Sequence, residues 1–390
     1  MKFILIVCLC VVLSTMVRAQ GLWDMSPHYM DFPCGYLDAV DENVVWGLER
    51  LTTNEIHKAF TRTTDGGLTW TGNLFPSWMN NDLVAGMISA VDASNAWVTM
   101  YYYDGVSGGD CGIYHTSNGG TTWEQQSSAA FVNAFSFPNC VHFFNLNEGW
   151  CMGDPGDVNY DFEMYTTNNG GATWQLVSNL NIPNSLSSEM GITGYCSFSG
   201  DTVWFGTTMG RIFRSPDKGH TWTVSAVTGW EYFDAMPTFC DHLHGMVQKI
   251  GTLSDGDLAI TSDGGSTWTK INSNHPSSTL MMSSLCFVPG TISTYIGTSI
   301  YGTIMKTVDG GYNWTQIDGP YGYSTDWINT STGFAGGYQN NYRYNGDITG
   351  KHDLCGSSLT VSPNPFTNNL SISSYERIDD LSILDLTGKP

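Results

Sequence analysis

Basic residues are scarce in this sequence. Its 390 residues include 15 lysines and arginines against 36 aspartates and glutamates, which gives a formal net charge of -21. Because phosphate binding depends on clustered lysine and arginine side chains, this composition excludes nucleic acid as a partner. We interpret the acidity as a solubility feature of an exported protein, since charge alone identifies no ligand.

Long apolar runs are missing beyond the first residues. Segment 1–19 has an early lysine, Lys2, an apolar run over 3–13 and small residues before Gln20, which is the pattern of a secretory signal peptide. That run is too short to span a bilayer, and no later stretch approaches the roughly 20 apolar residues that a membrane helix needs. We therefore expect an exported protein without a transmembrane segment.

The cysteines form no C-x-x-C pair, which argues against a zinc or redox motif. Eight of the ten lie beyond the signal peptide, where an oxidising compartment favours disulfides. Their connectivity stays open, and the one pair that we predict joins Cys140 to Cys151 across a hairpin.

No Ser-His-Asp or Cys-His arrangement and no phosphate-binding loop can be assigned, and we expect neither a metal nor a cofactor.

One short motif occurs six times. Its first copy is Thr63-Thr64-Asp65-Gly66-Gly67-Leu68-Thr69-Trp70, and successive copies are separated by 53, 51, 48, 46 and 46 residues. A unit of that length accommodates four short strands with their turns, which is one blade of a β-propeller. The repeat therefore predicts an all-β fold.

The motif resembles the Asp-box, or BNR repeat, of the sialidase and sortilin superfamily. In chain order, the acidic or amide position of the motif is occupied by Asp65, Asn118, Asn169, Asp217, Asp263 and Asp309. The tryptophans that end the six copies are Trp70, Trp123, Trp174, Trp222, Trp268 and Trp314. A short carboxylate or amide can accept hydrogen bonds from its own turn, and a following glycine can supply a positive φ. The tryptophan can pack between neighbouring blades. We interpret these residues as structural and not catalytic.

A polar turn followed by an apolar strand precedes each motif, and a seventh such hairpin follows the last one, at 329–337. The missing strand of that last unit can come from the N-terminal segment 22–25. Pairing the two ends of the chain would leave no open sheet edge. We predict seven blades, with six as the alternative.

The character of the chain changes from residue 358. Pro363-Asn364-Pro365-Phe366 and the later Asp385-Leu386-Thr387-Gly388-Lys389 resemble a type A C-terminal sorting domain of the type IX secretion system, a small β-sandwich. That family domain runs on for several more strands, so we expect a truncated copy here. The resemblance implies the type IX machinery as a partner, and a secreted or outer cell-surface protein. The expected organisation is a signal peptide at 1–19, a propeller at 20–350, a linker at 351–357 and the sorting domain at 358–390.

Ligand sites of propellers usually gather on the face opposite the motif turns. Acids and aromatic residues that we expect there are Tyr102, Asp104, Asp154, Asp157, Asp161, Trp230, Glu231 and Asp234. Aromatic rings beside carboxylates suit sugar binding, whereas aspartates in a loop are equally explained as a solvated turn.

Three function classes compete. A sialidase needs three arginines around the substrate carboxylate, but Arg62 and Arg214 precede motifs and Arg377 lies in the sorting segment, so this activity is not expected. A xyloglucanase-like glycoside hydrolase would use paired carboxylates, with Asp154 and Asp234 as first candidates. We favour a binding or scaffold module for glycans or proteins without catalysis, because the fold alone does not determine function.

Overall fold

The computed structural model describes residues 23–27, 33–51, 56–76, 83–102, 109–131, 136, 138–155, 161–250, 258–274, 282–299, 302–317, 319–349, 360–362 and 371–373. The chain divides into two compact units, Met1–Gly346 and Asp347–Pro390. The predicted signal peptide, the linker at 351–357 and most of the predicted sorting domain lie outside the described residues. No helix among the described residues has the length and apolar character needed to cross a membrane.

The first unit is built from antiparallel sets of four strands, plus one short 3-10 helix at Asn179–Asn181. The strands of the first three sets, after β1 (Trp23–Pro27), are β2 (Cys34–Ala39), β3 (Val45–Leu51), β4 (Ile56–Thr63), β5 (Thr71–Leu74), β6 (Leu83–Ala90), β7 (Ala96–Tyr102), β8 (Gly112–Thr116), β9 (Glu124–Gln125), β10 (Pro138–Phe143), β11 (Gly149–Pro155), β12 (Phe162–Thr167) and β13 (Gln175–Leu176).

Three further sets follow the same order along the chain. Their strands are β14 (Gly191–Ser199), β15 (Thr202–Thr207), β16 (Arg211–Ser215), β17 (Thr223–Ala226), β18 (Asp234–Phe239), β19 (Gly245–Ile250), β20 (Leu258–Thr261), β21 (Thr269–Ile271), β22 (Met282–Phe287), β23 (Tyr295–Ser299), β24 (Ile304–Thr307) and β25 (Thr315–Gln316). The last set combines β26 (Ser324–Asn329), β27 (Thr332–Gly336) and β28 (Asn340–Asn345) with β1. In the second unit, β29 (Thr360–Ser362) pairs with β30 (Ser371–Ser373).

We number the sets 1 to 7 in chain order, from β2–β5 to β26–β28 with β1. Sets 1 and 2 belong to one sheet because His57 pairs with Ala85, and the other sets are separate sheets. The predicted pairing of the two ends is present, since Trp23 lies opposite Tyr344. The fold is therefore all-β, and its four-stranded sheets are arranged as in a β-propeller.

The last strand of a set is the least buried. In set 2, the first strand is buried over Leu83–Ser89, whereas the short last strand is half-buried or exposed. Aromatic rings fill the space between sets: Trp123 of set 2 packs on Trp46 and Phe60 of set 1, with ring centroids 6.4 and 5.6 Å apart. Large rings at these positions bury enough apolar surface to hold neighbouring sheets face to face.

The six motifs form the turns between the third and fourth strands of sets 1 to 6, and we call them the repeat turns. In the first, Oδ1 of Asp65 accepts hydrogen bonds from the Thr69 amide, at 2.9 Å, and from the Thr63 hydroxyl, at 2.8 Å. In every repeat turn, the glycine two residues after the acid or amide has a positive φ, from 82° to 95°. Hydrogen bonds from the Thr267 hydroxyl and amide hold the pKa of Asp263 at about 2, so this carboxylate is committed to its turn.

The predicted Cys140–Cys151 disulfide is wrong. In the β10–β11 hairpin, Cys151 lies opposite Val141, and Cys140 lies opposite Met152. Because neighbouring side chains of a strand point to opposite faces of the sheet, the two cysteines face different cores. All seven described cysteines are thiols, and Cys355 lies outside the described residues.

Candidate functional site

The first strands of all seven sets surround a central channel of about 1030 Å³. The repeat turns lie at one end, where they hydrogen bond to the hairpin between the first and second strands of their set, as from the Gly66 amide to the Asn43 carbonyl at 2.9 Å. At the other end of the channel, the second strands end, and the third and first strands begin. Arg50, His57, Tyr101, Asp154 and Asp234 line the channel there, and we call this end the open mouth.

Asp154 is held by a hydrogen-bond network at the open mouth. Its Oδ1 accepts from Nδ2 of Asn139 at 2.8 Å and from the Gly191 amide at 2.7 Å. The side chain is nearly fully buried, and burial raises the pKa of its carboxyl to about 7 against the two hydrogen bonds, which lower it. Asp154 thus ties set 3 to set 4, and near neutral pH it can either hold or release a proton.

Asp234 begins β18 and lines the same channel, so the structure brings the two candidate acids to one cavity. Its side chain is half-buried, and burial raises the pKa of its carboxyl. Both candidate acids therefore line one recess and both have raised pKa values.

Four of the remaining candidates belong to the described residues and lie away from the channel lining. The Tyr102 hydroxyl donates to Asp110 at 3.0 Å, and Asp161 precedes β12. Trp230 is only 2% exposed and packs in the core between sets 4 and 5, so it offers no face for a sugar, while its neighbour Glu231 is exposed. Asp104 and Asp157 lie outside the described residues.

A ring of equivalent residues was missed by the sequence reasoning. One position near the end of each first strand faces the channel, and its occupants are Asp38, Ser89, His142, Ser197, Thr238, Cys286 and Asp326. Several accept an amide hydrogen bond from the next set, as Asp38 does from Ala90 at 2.5 Å and Ser89 from Phe143 at 3.1 Å. Aligning the repeats on their first strands would have found this position.

Asp38 and Asp326 are the two acids of that ring. Burial raises the pKa of the Asp38 carboxyl to about 7, with a further contribution from Asp326, and burial raises the pKa of Asp326 to about 6. Asp326 accepts from the Ala39 amide at 2.8 Å. Their role is to join sets 7, 1 and 2, which explains two acids deep in the channel without invoking catalysis.

A polar pair borders the mouth in set 1. Nε of Arg50 donates to Nε2 of His57 at 3.3 Å, and Nδ1 of His57 lies 3.1 Å from the Ala85 carbonyl. Burial lowers the pKa of His57 to about 3, so the ring is neutral and accepts from the guanidinium. The ring of Tyr101 lies on the same lining.

Part of β14 fills the channel centre. Gly191 lies opposite Thr207 and Cys196 opposite Phe205, so the four residues 192–195 of β14 oppose a single residue of β15 and bulge from the sheet. We call residues 192–195 the channel segment. Its Thr193 hydroxyl donates to Asn139 of set 3 at 2.9 Å, while Tyr195 packs on the core of sets 5 and 6. The segment therefore contacts sets on both sides and narrows the cavity.

Among the described residues, one group has the composition of a metal site: Cys240, Asp241 and His244 on the β18–β19 turn. Oδ1 of Asp241 accepts from the Leu243 and His244 amides, each at 2.7 Å. Asp41 accepts the same two amide bonds in the corresponding turn of set 1. The turn therefore accounts for Asp241, and these three side chains are not evidence for a metal site.

No protein-family model matches the sequence. Among curated proteins, a xyloglucanase of Hypocrea jecorina (strain QM6a) is 24% identical over 275 residues, which cover 60% of this chain and 32% of that protein. The chain thus spans about a third of the length of this relative.

Solved structures with the same fold cover most of the chain. YCF48 bound to D1 peptide matches with a TM-score of 0.58 at 17% identity, over 84% of this chain and 98% of that one. YCF48 from Cyanidioschyzon merolae gives 0.59 at 15% identity, over 83% and 98%. An ancestral GH74 enzyme gives 0.56 at 12% identity, over 83% of this chain and 46% of that one. These likenesses establish a β-propeller fold.

Proposed function

We propose that this chain is a binding propeller without catalytic activity, which holds a protein or glycan segment at the open mouth of its channel. The main support for the proposal is the hydrogen bonding of the acidic residues in the channel. Asp38, Asp154 and Asp326 each accept backbone amide bonds from another set, so their carboxylates are occupied in holding the sheets together. What remains at the mouth is a recess with a guanidinium, an aromatic ring and the half-buried carboxyl group of Asp234, a surface suited to recognition.

The comparisons are compatible with a single-propeller binder. The chain covers 98% of YCF48, which is described bound to a peptide, but only 46% of the GH74 enzyme.

Binding can be tested with the full chain immobilised and screened against polysaccharides, a glycan array and a peptide library. Retention is the readout, and reducing-end release is scored in parallel. Tyr101→Ala should weaken retention about tenfold, as expected for an aromatic ring at the centre of a contact. Tyr312→Ala is the matched control, because Tyr312 is exposed on a repeat turn at the other end. Equal retention by both variants, each with unchanged thermal stability, would refute binding at the mouth.

A glycoside hydrolase is the second candidate, and two observations favour it. The xyloglucanase relative is similar in sequence, and Asp154 has the raised pKa that a general acid requires. Xyloglucan is the substrate to test first. Release of reducing ends that is lost in both Asp154→Asn and Asp234→Asn would establish the hydrolase and overturn the binding proposal.

We further infer a ring of seven blades made of Asp-box repeats. Supporting this inference are the seven sets, the shared hydrogen bonding of the repeat turns and the antiparallel pairing of β1 with β28. Deleting residues 20–27 should expose the edge of β28 and promote association of the protein, as measured by light scattering. A deletion variant that stays monomeric and equally stable would contradict closure by β1.

We also propose export by a signal peptide followed by type IX secretion, on the strength of the sequence at 1–19 and 358–390. The test is to express the full chain, and a chain lacking 358–390, in a bacterium that possesses this system. The full chain should reach the medium or cell surface, and the shortened one should accumulate in the periplasm. The same distribution for both would overturn the route.

A further inference from the structure

Two cysteines of neighbouring sets meet at the wall of the channel. Cys140 lies on β10 of set 3 and Cys196 on β14 of set 4, and their sulfur atoms are 2.7 Å apart. Atoms that merely pack together sit about 3.5–4.0 Å apart. The two thiols are therefore closer than packing alone requires, and both belong to strands whose backbone positions are held by their own sheets.

The surroundings of the pair are apolar and sulfur-rich. Sδ of Met87 lies 3.5 Å from Sγ of Cys196, and the Ile192 carbonyl lies 3.9 Å from Sγ of Cys140. Cys140 is fully buried, whereas Cys196 is half-buried and lines the channel. A small oxidant can thus reach Cys196 from the channel, and only Cys196 need be reached.

We propose that Cys140 and Cys196 form a disulfide that joins set 3 to set 4 beside the channel segment. The sulfur of Cys196 loses its proton to solvent, attacks a small disulfide oxidant such as oxidised glutathione and expels one thiolate, which takes up a proton from solvent. Cys140 then loses its proton, attacks the Cys196 sulfur of this mixed disulfide and expels the second thiol. The two cysteines give up two electrons in total, and the oxidant is reduced to two thiols.

The crosslink would secure the second end of the channel segment, whose first end is already held by hydrogen bonds. At its first end, Asp154 holds the Gly191 amide, and Asn139 holds the Thr193 hydroxyl. At its second end, the segment runs directly into Cys196, whose partner Cys140 is the neighbour of Asn139 in sequence. Oxidation would thus attach the second end of the channel segment covalently to set 3, beside the cavity.

The decisive experiment uses the full wild-type chain, incubated with oxidised glutathione or with dithiothreitol. Digestion without reductant should yield one linked peptide pair containing Cys140 and Cys196 from the oxidised sample only. The oxidised protein should melt about 5 °C higher, because the crosslink closes a long loop. Cys240, half-buried on a turn, should remain open to alkylation and serves as the internal control.

Variants separate this disulfide from other effects of the oxidant. Cys196→Ser should abolish the oxidation-dependent rise in melting temperature, and Cys240→Ser should retain it. If Cys196→Ser fails to fold, the peptide map of the wild-type chain decides alone. Full alkylation of Cys140 and Cys196 in denatured, oxidised protein, or a link from either to a different cysteine, would overturn the proposal.

Discussion

The Asn139 side chain donates a hydrogen bond of 2.8 Å to the carboxylate of Asp154, and the same oxygen accepts the Gly191 amide at 2.7 Å. One buried carboxylate thereby connects two strands of set 3 to the first strand of set 4. Its most direct consequence is structural.

We expect Asp154→Ala to lower the free energy of unfolding by about 2–3 kcal/mol, because it leaves a buried amide N–H and a buried side-chain amide without their acceptor. Asp154→Asn should cost less, since its carbonyl oxygen can still accept. Urea unfolding measures both. Glu231→Ala is the control, because that side chain is exposed, and it should stay within about 0.5 kcal/mol of wild type. Equal stability of Asp154→Ala and Glu231→Ala would show that the network contributes nothing.

Asp38 should make stability depend on pH. Burial raises the pKa of its carboxyl from 3.8 to about 7 in the folded protein, so the folded state binds the proton more tightly than the unfolded chain does. This contribution is fully present below pH 3.8 and is lost as pH rises towards 7. His57 and His142, whose pKa values burial lowers to about 3, contribute with the opposite sign.

Because these effects overlap, the informative quantity is the difference in unfolding free energy between Asp38→Asn and wild type. Between pH 4 and 7 that difference should shift steadily in favour of the variant. Ser89→Ala, at the equivalent position of set 2, carries no titratable group and should give a difference that does not change with pH. A flat profile for Asp38→Asn would contradict the burial effect.

In the first repeat turn, a substitution of Asp65 that keeps a hydrogen-bond acceptor should be tolerated better than an apolar one. Asp65→Ala removes the acceptor of the Thr69 amide and should cost about 1 kcal/mol in unfolding free energy. Asp65→Asn should be nearly neutral, since Asn118 and Asn169 hold the same position in sets 2 and 3 and accept the same amide bond. Chemical unfolding of the two variants provides the comparison, and equal losses would contradict the assignment.

Two glycines with positive φ separate crowding from backbone strain. A Cβ on Gly120, at φ 86°, would lie 2.2 Å from the Phe60 ring, whereas a Cβ on Gly200, at φ 57°, meets nothing within 4 Å. Gly200→Ala should cost about 1 kcal/mol from strain alone, and Gly120→Ala about 2 kcal/mol more because it overpacks the core. Thermal unfolding measures the loss of stability in both variants. A smaller loss for Gly120→Ala than for Gly200→Ala would contradict the expected order.

The repeat in the sequence determined much of this protein. Each motif contains its own turn residues and the tryptophan that follows them, so an all-β chain of four-stranded units and the pairing of Trp23 with the last set could be predicted. These features depend on local chemistry and on the need to avoid an open sheet edge. The same reasoning placed Asp154 and Asp234 at the end of the fold opposite the repeat turns, where both line the channel.

Only the tertiary structure decided which residues share a surface. A shift of one position turns a strand side chain to the other face, so the thiol of Cys140 contacts Cys196 of another set and not Cys151 of its own hairpin. Trp230 lies in the core, and residues 192–195 enter the channel, because a bulge and the packing of neighbouring sets direct them there. Burial by distant strands is a property of the assembled sheets, and for that reason the acids that hold the channel together became visible only in the fold.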